Sequence, residues 1–129
     1  MALRIEKMNT VDDRGNRFFI AQARARDLFW MVSIVAASHL MIFVVIGLAW
    51  SAAYLPATIW IVFASILTVM GSFDAMDDLK AVFEDATGDE RQTNLWKRTE
   101  TVQWGAFKGL LGIGAAATVL AEIYAMWAI

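Results

Sequence analysis

Two side chains in this sequence lie where an ionisable group is costly to place. His39, the single histidine, falls near the middle of a long apolar run, and Glu122 falls in the outer part of another. Ionisable residues at membrane depth are functional-site candidates by default, because burying them costs free energy. An imidazole at that depth can ligate haem, meet a quinone or relay a proton. It can also stay neutral and bond Ser65, Thr118 or a backbone carbonyl of a neighbouring helix, acting as polar glue between helices. A haem held by two histidines would need its second histidine from another chain. Glu122 offers a proton or cation site, or it reaches the outer interface or a group on a partner subunit. Helical rise counted from the tryptophans that end the two runs puts Glu122 roughly 10 Å further out than His39. The two are therefore expected not to touch.

A third candidate is acidic. Asp74, Asp77 and Asp78 have the i, i+3, i+4 spacing of one helix face, and such carboxylates can hold Mg²⁺ or Ca²⁺. The competing expectation is a solvated face that docks basic residues, with the N-terminal arginines as local partners. The fourth candidate is structural. Gly105 and Gly109 form a Gly-x-x-x-Gly pair that Gly112 and Ala116 extend, a small-residue groove that lets another backbone approach closely in a membrane. Gly112 to Ala115 fall at the depth of His39, so those residues are expected to meet it. Other chemistry is missing. There is no cysteine, which excludes disulfides, thiolate metal sites and cysteine nucleophiles. No nucleotide loop, nucleophile triad, zinc signature or nucleic-acid motif is present.

The elements that must position these residues are helices long enough to cross a bilayer. The chain has 129 residues, at most one domain, and is 59% hydrophobic, against roughly 45–50% for soluble domains. Uncharged or nearly uncharged runs cover 29–50, 55–73 and 104–127. At 1.5 Å rise per residue each spans roughly the 30 Å of a hydrocarbon core. Trp30 and Trp50 bracket the first run and Trp104 and Trp127 the third, with Tyr54, Trp60 and Tyr124 near the same outer edge. That is the interfacial placement indole and phenol rings prefer. Pro56 stands near the first turn of the second run, where a missing N–H costs nothing. The polar segment 1–28 carries basic residues throughout and no short apolar core, so the first run is expected to be a retained signal-anchor rather than a cleaved leader.

Orientation follows from the cations. Arg4, Lys7, Arg14, Arg17, Arg24 and Arg26 precede the first run, and Lys80, Arg91, Lys97 and Arg98 lie between the second and third. The link 51–54 and the residues after the third run carry none. The positive-inside rule then predicts a cytoplasmic N-terminus, a cytoplasmic link over 74–103 and an external C-terminus. Lys108, one turn into the third run, is expected to snorkel toward that cytoplasmic side.

The link itself reads as helical. Phe73, Met76, Leu79 and Phe83 recur at helical spacing, and Leu95, Thr99, Val102 and Ala106 form a second stripe leading into the third run. Gly88 suits a helix C′ position and Asp89 an N-cap. The expectation is an antiparallel hairpin over 74–103, turning at Gly88, with Leu79, Phe83 and Leu95 packed between its arms. Residues 17–27 are expected to form a separate amphipathic helix on the membrane surface, with Phe18, Phe19 and Ile20 as its apolar contacts.

The fold class expected is therefore an all-α membrane protein: a cytoplasmic segment 1–28, then a three-helix transmembrane domain 29–129 whose second and third helices extend as the hairpin. The expected partners are the lipid bilayer and other membrane subunits or further copies, with no nucleic acid. The expected role is a non-catalytic accessory or assembly subunit of a larger complex in a bacterial inner membrane. The alternative is a direct transport or redox role, as an oligomeric channel or proton path through Glu122, or as a haem- or quinone-contacting anchor using His39.

Overall fold

A computed structural model of the chain describes residues 10–128, which form helices and turns with no strand. Arg4 and Lys7 lie outside the described residues. Helix α1 runs over Val11–Gly47, a length of roughly 55 Å. Thr10 starts it with a capping box: its side chain accepts from the Asp13 N–H, and the Asp13 carboxylate accepts from the Thr10 N–H at 2.9 Å and Oγ1 at 2.6 Å. These bonds, the side-chain one foremost, hold the Asp13 carboxyl below its usual range. Between Gly15 and Gly47 no glycine or proline interrupts the helix. The expected separate surface helix over 17–27 is for this reason the leading part of α1. Phe18 and Phe19 stay exposed there.

The chain reverses through a Schellman-type end. The Ala49 N–H donates to the Ile46 carbonyl and the Trp50 N–H to that of Val45, while Ala49 takes a φ of 49°. Glycine is the usual residue at this C′ position. Alanine there costs about 1 kcal/mol. A 3₁₀ turn over Ser51–Ala53 leads into α2, Tyr54–Glu84, with Pro56 in its first turn as expected.

Helix α2 ends well before Gly88, and no described glycine has a positive φ. The expected glycine cap is not used, because an arginine serves instead. Arg91 donates through Nη2 to the Glu84 carbonyl and through Nε to that of Ala86, both at 3.1 Å. After a 3₁₀ turn over Glu90–Gln92, the short helix α3 covers Asn94–Glu100, capped by Thr93. Asp89 makes no side-chain cap bond. Helix α3 does not run on into the third span. Thr99 and Thr101 turn their hydroxyls back onto the carbonyls of Leu95 and Arg98, and Gln103 leaves helical geometry. Such β-branched, backbone-bonding residues weaken a helix. Helix α4 then spans Trp104–Trp127, the bounds expected of the third run.

Helices α1, α2 and α4 are each long and apolar enough to cross a membrane. The accessible surface is 9462 Å², against about 6,800 Å² for a compact soluble chain of this mass. Much of the excess is apolar: Leu40, Ile59, Leu110, Ile113 and Leu120 are all more than half exposed. A protein in water would not leave this much unpartnered. Lipid is the solvent that fits it.

Helix α1 lies antiparallel to α2, and α4 runs parallel to α1. Register pairs mark the α1–α2 contact: Arg24 with Asp78, Met31 with Gly71, and Ile42 with Ile61; beyond the end of α2, Arg17 pairs with Glu90 of the 3₁₀ turn. At Gly71 a Cβ would lie 2.5 Å from the Met31 Sδ, so the end of that flexible side chain rests in the space the glycine leaves open. Pairs between α2 and α4 are Asp77 with Lys108, Phe73 with Gly112, and Thr58 with Trp127. In the apolar half, Ile42, Ile61 and Met126 form the core cluster, flanked by Ile46, Tyr54, Ala57 and Val119.

Candidate functional site

The polar groups inside the apolar half converge one turn below that core cluster. The offset from Ile42 back to His39 is three residues, from Met126 back to Glu122 four, and from Ile61 on to Ser65 four. One helical turn along each of three helices thus places an imidazole, a carboxyl and a hydroxyl in the same layer. His39 Nδ1 lies 2.9 Å from both Oε1 and Oε2 of Glu122. The Glu122 side chain is 1% exposed and that of His39 14%.

This pairing corrects the expectation that the two residues stay apart. The depth count took Trp50 and Trp127 to be level. In the structure α4 stops short: Ile42, five residues before the end of α1 at Gly47, packs with Met126 at the end of α4. Helix α1 therefore runs more than one turn beyond α4, and Glu122 comes level with His39. Gly112, expected near His39, lies against Phe73 instead. Thr118, named as a partner for His39, donates to its own Gly114 carbonyl.

At 2.9 Å a proton lies between the two groups whichever carries it. Either Nδ1–H donates to the carboxylate, or the protonated carboxyl donates to Nδ1. Each group thereby satisfies the other in a medium that supplies no water. A carboxylate on one imidazole nitrogen also fixes ring orientation and leaves Nε2 as the available nitrogen, the arrangement found behind metal-ligating histidines. Nε2 has no hydrogen-bond partner among the described residues. Ser65, and Ser72 two turns below it on the same face of α2, are buried with hydroxyls that have no partner among the described residues. Ser72 escaped the sequence analysis, although its seven-residue spacing from Ser65 was the available signal. Beside the pair, the Trp60 Nε1–H donates to Ser38 Oγ at 3.3 Å.

The acidic triplet is dispersed. Asp78 takes Arg24 at 2.7 Å and Asp77 takes Lys108 at 2.6 Å, while Asp74 is exposed. No group of three potential ligands surrounds a metal position among the described residues. One N-terminal arginine does dock on the triplet, and Lys108 reaches toward the charged end as anticipated, its Nζ also lying 5.5 Å from the Phe73 ring centroid. At that end Glu90 binds Arg17 at 2.8 Å and accepts the Thr87 N–H at 2.6 Å. Burial pushes the Glu90 carboxyl up, but the Thr87 bonds and the Arg17 guanidinium together outweigh it and hold it below its usual range. Phe83 meets Trp96, with ring centroids 6.3 Å apart. Leu95, expected between the arms, is 57% exposed.

The small-residue face is divided. A Cβ on Gly112 would touch Phe73 at 3.5 Å, whereas one on Gly105 or Gly109 would meet nothing within 4 Å. Ala116 is exposed. The side of α4 turned to its own chain is instead the one carrying Lys108, Ala115, Glu122 and Met126. No protein-family model, curated protein or solved structure matches the chain.

Proposed function

We propose that this chain is a non-catalytic accessory or assembly subunit of a larger membrane complex, seated in a bacterial inner membrane. The observation that carries the proposal is the closed His39–Glu122 pair. Both mid-span ionisable groups are consumed by each other within one chain, and Glu122 is 2% exposed. A channel formed between copies would need that carboxyl on an outer face, and here it faces its own α1. What α4 offers outward is the strip of Gly105, Gly109 and Ala116, suited to close packing against another helix. In a mild detergent the protein is expected to run with stoichiometric membrane partners or further copies and to show no visible absorption. A particle the size of one chain in its micelle would overturn the subunit reading.

One observation favours a second reading. With Glu122 on Nδ1, the available Nε2 of His39 suits a haem or quinone contact, with the second haem ligand supplied by another chain. A Soret band in that same preparation would replace the first reading with this one.

The proposed orientation puts the N-terminus and residues 74–103 in the cytoplasm and the C-terminus outside. It rests on the basic residues gathered at one end, among them Arg14, Arg17, Arg24, Arg26, Lys97 and Arg98, and on the positive-inside rule. A reporter active only in the cytoplasm should work when fused at Gly88 and fail when fused after Ile129. The opposite pattern would invert the topology.

A further inference from the structure

At the charged end, beyond the apolar half, α1, α2 and α3 stand apart around a cavity of about 600 Å³. Its walls are apolar, with Phe18, Leu79, Phe83 and Trp96 from three different helices. Its floor is formed by Ala25, just before the apolar run of α1, and by Trp104, the first residue of α4. Its rim holds Arg14 and Arg17, with Glu90 opposite. Glu90 pairs with Arg17, whereas Arg14 is exposed and makes no ion pair among the described residues. Phe18, at 65% exposure, lies on α1 before its apolar run.

We propose that this cavity binds a single-chain anionic amphiphile, with its acyl chain along the apolar walls and its carboxylate or phosphate at Arg14. Three quantities select that class. The volume lies in the range of small-molecule sites, about 300–1,000 Å³. The distance along α1 from Arg14 to Ala25 is roughly 16 Å, close to the ~15 Å of one leaflet's hydrocarbon. The polarity runs in the same order as a leaflet, charged outward and apolar toward the membrane. The cavity floor adjoins the apolar half, so a chain can rise into it from the leaflet or enter from water.

The test is native mass spectrometry of the full chain released from a neutral detergent, with stearate and its uncharged methyl ester as probes. The wild type is expected to retain one stearate, at least tenfold more tightly than the ester. Arg14→Glu, an exposed first-turn change, should weaken stearate about tenfold and leave the ester unaffected. Ala21→Phe, which fills the cavity from α1, should abolish retention of both; circular dichroism establishes that this variant still folds. Retention of an anionic lysolipid by the protein as purified identifies the leaflet as the source, whereas retention of a two-chain phospholipid would overturn the single-chain assignment. A preparation free of bound lipid that takes up added stearate identifies water as the source, and either result supports the site. Equal retention of acid and ester by wild type and Arg14→Glu, or no retention at all, would overturn it. A photo-crosslinker placed at Leu95, beside the cavity, that captures a polypeptide rather than lipid would overturn it in favour of a protein partner.

Discussion

Replacing His39 with leucine is expected to destabilise the bundle by about 3 kcal/mol, and replacing Glu122 as well to restore most of that loss. The single change leaves a carboxyl that is 1% exposed without its partner in a medium that cannot solvate it. Removing one member of a buried pair costs about 3–5 kcal/mol, whereas exchanging both for apolar residues is often neutral. Glu122→Gln keeps a hydrogen-bonding side chain of the same shape, and its expected cost is about 1 kcal/mol. Unfolding in mixed micelles of rising SDS content, followed by circular dichroism, reads the wild type, His39→Leu, Glu122→Leu, the double replacement and Glu122→Gln. Simple addition of the two single-site effects would mean that the groups do not act as a pair.

Leucine at Gly109 is expected to leave the chain folded while weakening its assembly at least tenfold, and leucine at Gly112 to damage both. At Gly112 a Cβ already stands in ordinary contact with Phe73 of its own α2, so the larger leucine must displace that ring, whereas at Gly109 the space is open. Packing contacts between membrane helices are worth about 1–2 kcal/mol each, and 1.4 kcal/mol is tenfold in association. Leu110→Ile, on an exposed flank, serves as the neutral control. Detergent-resistant assembly, compared at equal expression, is the readout. If Gly109→Leu assembles like wild type, the strip faces lipid and the subunit reading loses its main outward feature.

The parts of this fold legible in the sequence are those governed by local composition. The bounds of α4, the apolar stretches of α1 and α2, the position of Pro56 and the reach of Lys108 all follow from hydropathy, helical rise and side-chain length. The parts that escaped depend on how helices are staggered or capped. His39 and Glu122 meet because α1 outruns α4, and no local signal records that offset. Gly88 looked like a helix end, but the end depends on Arg91 reaching back to the carbonyls of Glu84 and Ala86, a contact made across the turn. The tight reversal uses Ala49 rather than a glycine, so residue type pointed away from it. The three-walled cavity was invisible for a similar reason: it exists because α3 is short and detached from α4 at Val102–Gln103.

The central claim is that the intramembrane polar pair lies within a single chain, between α1 and α4. The protein contains no cysteine, so a disulfide introduced into it reports without background. Ile42→Cys and Met126→Cys substitute two core neighbours and leave His39 and Glu122 in place. With a protease site inserted at Gly88, the doubly substituted protein is oxidised in native membranes and run without reductant both before and after cleavage. The structure predicts that the uncut protein runs at the mass of one chain, and that after cleavage the two fragments stay joined and separate on reduction. Separate fragments before reduction, or an uncut band at twice the mass, would place α1 and α4 apart or pair them between copies, contradicting this arrangement.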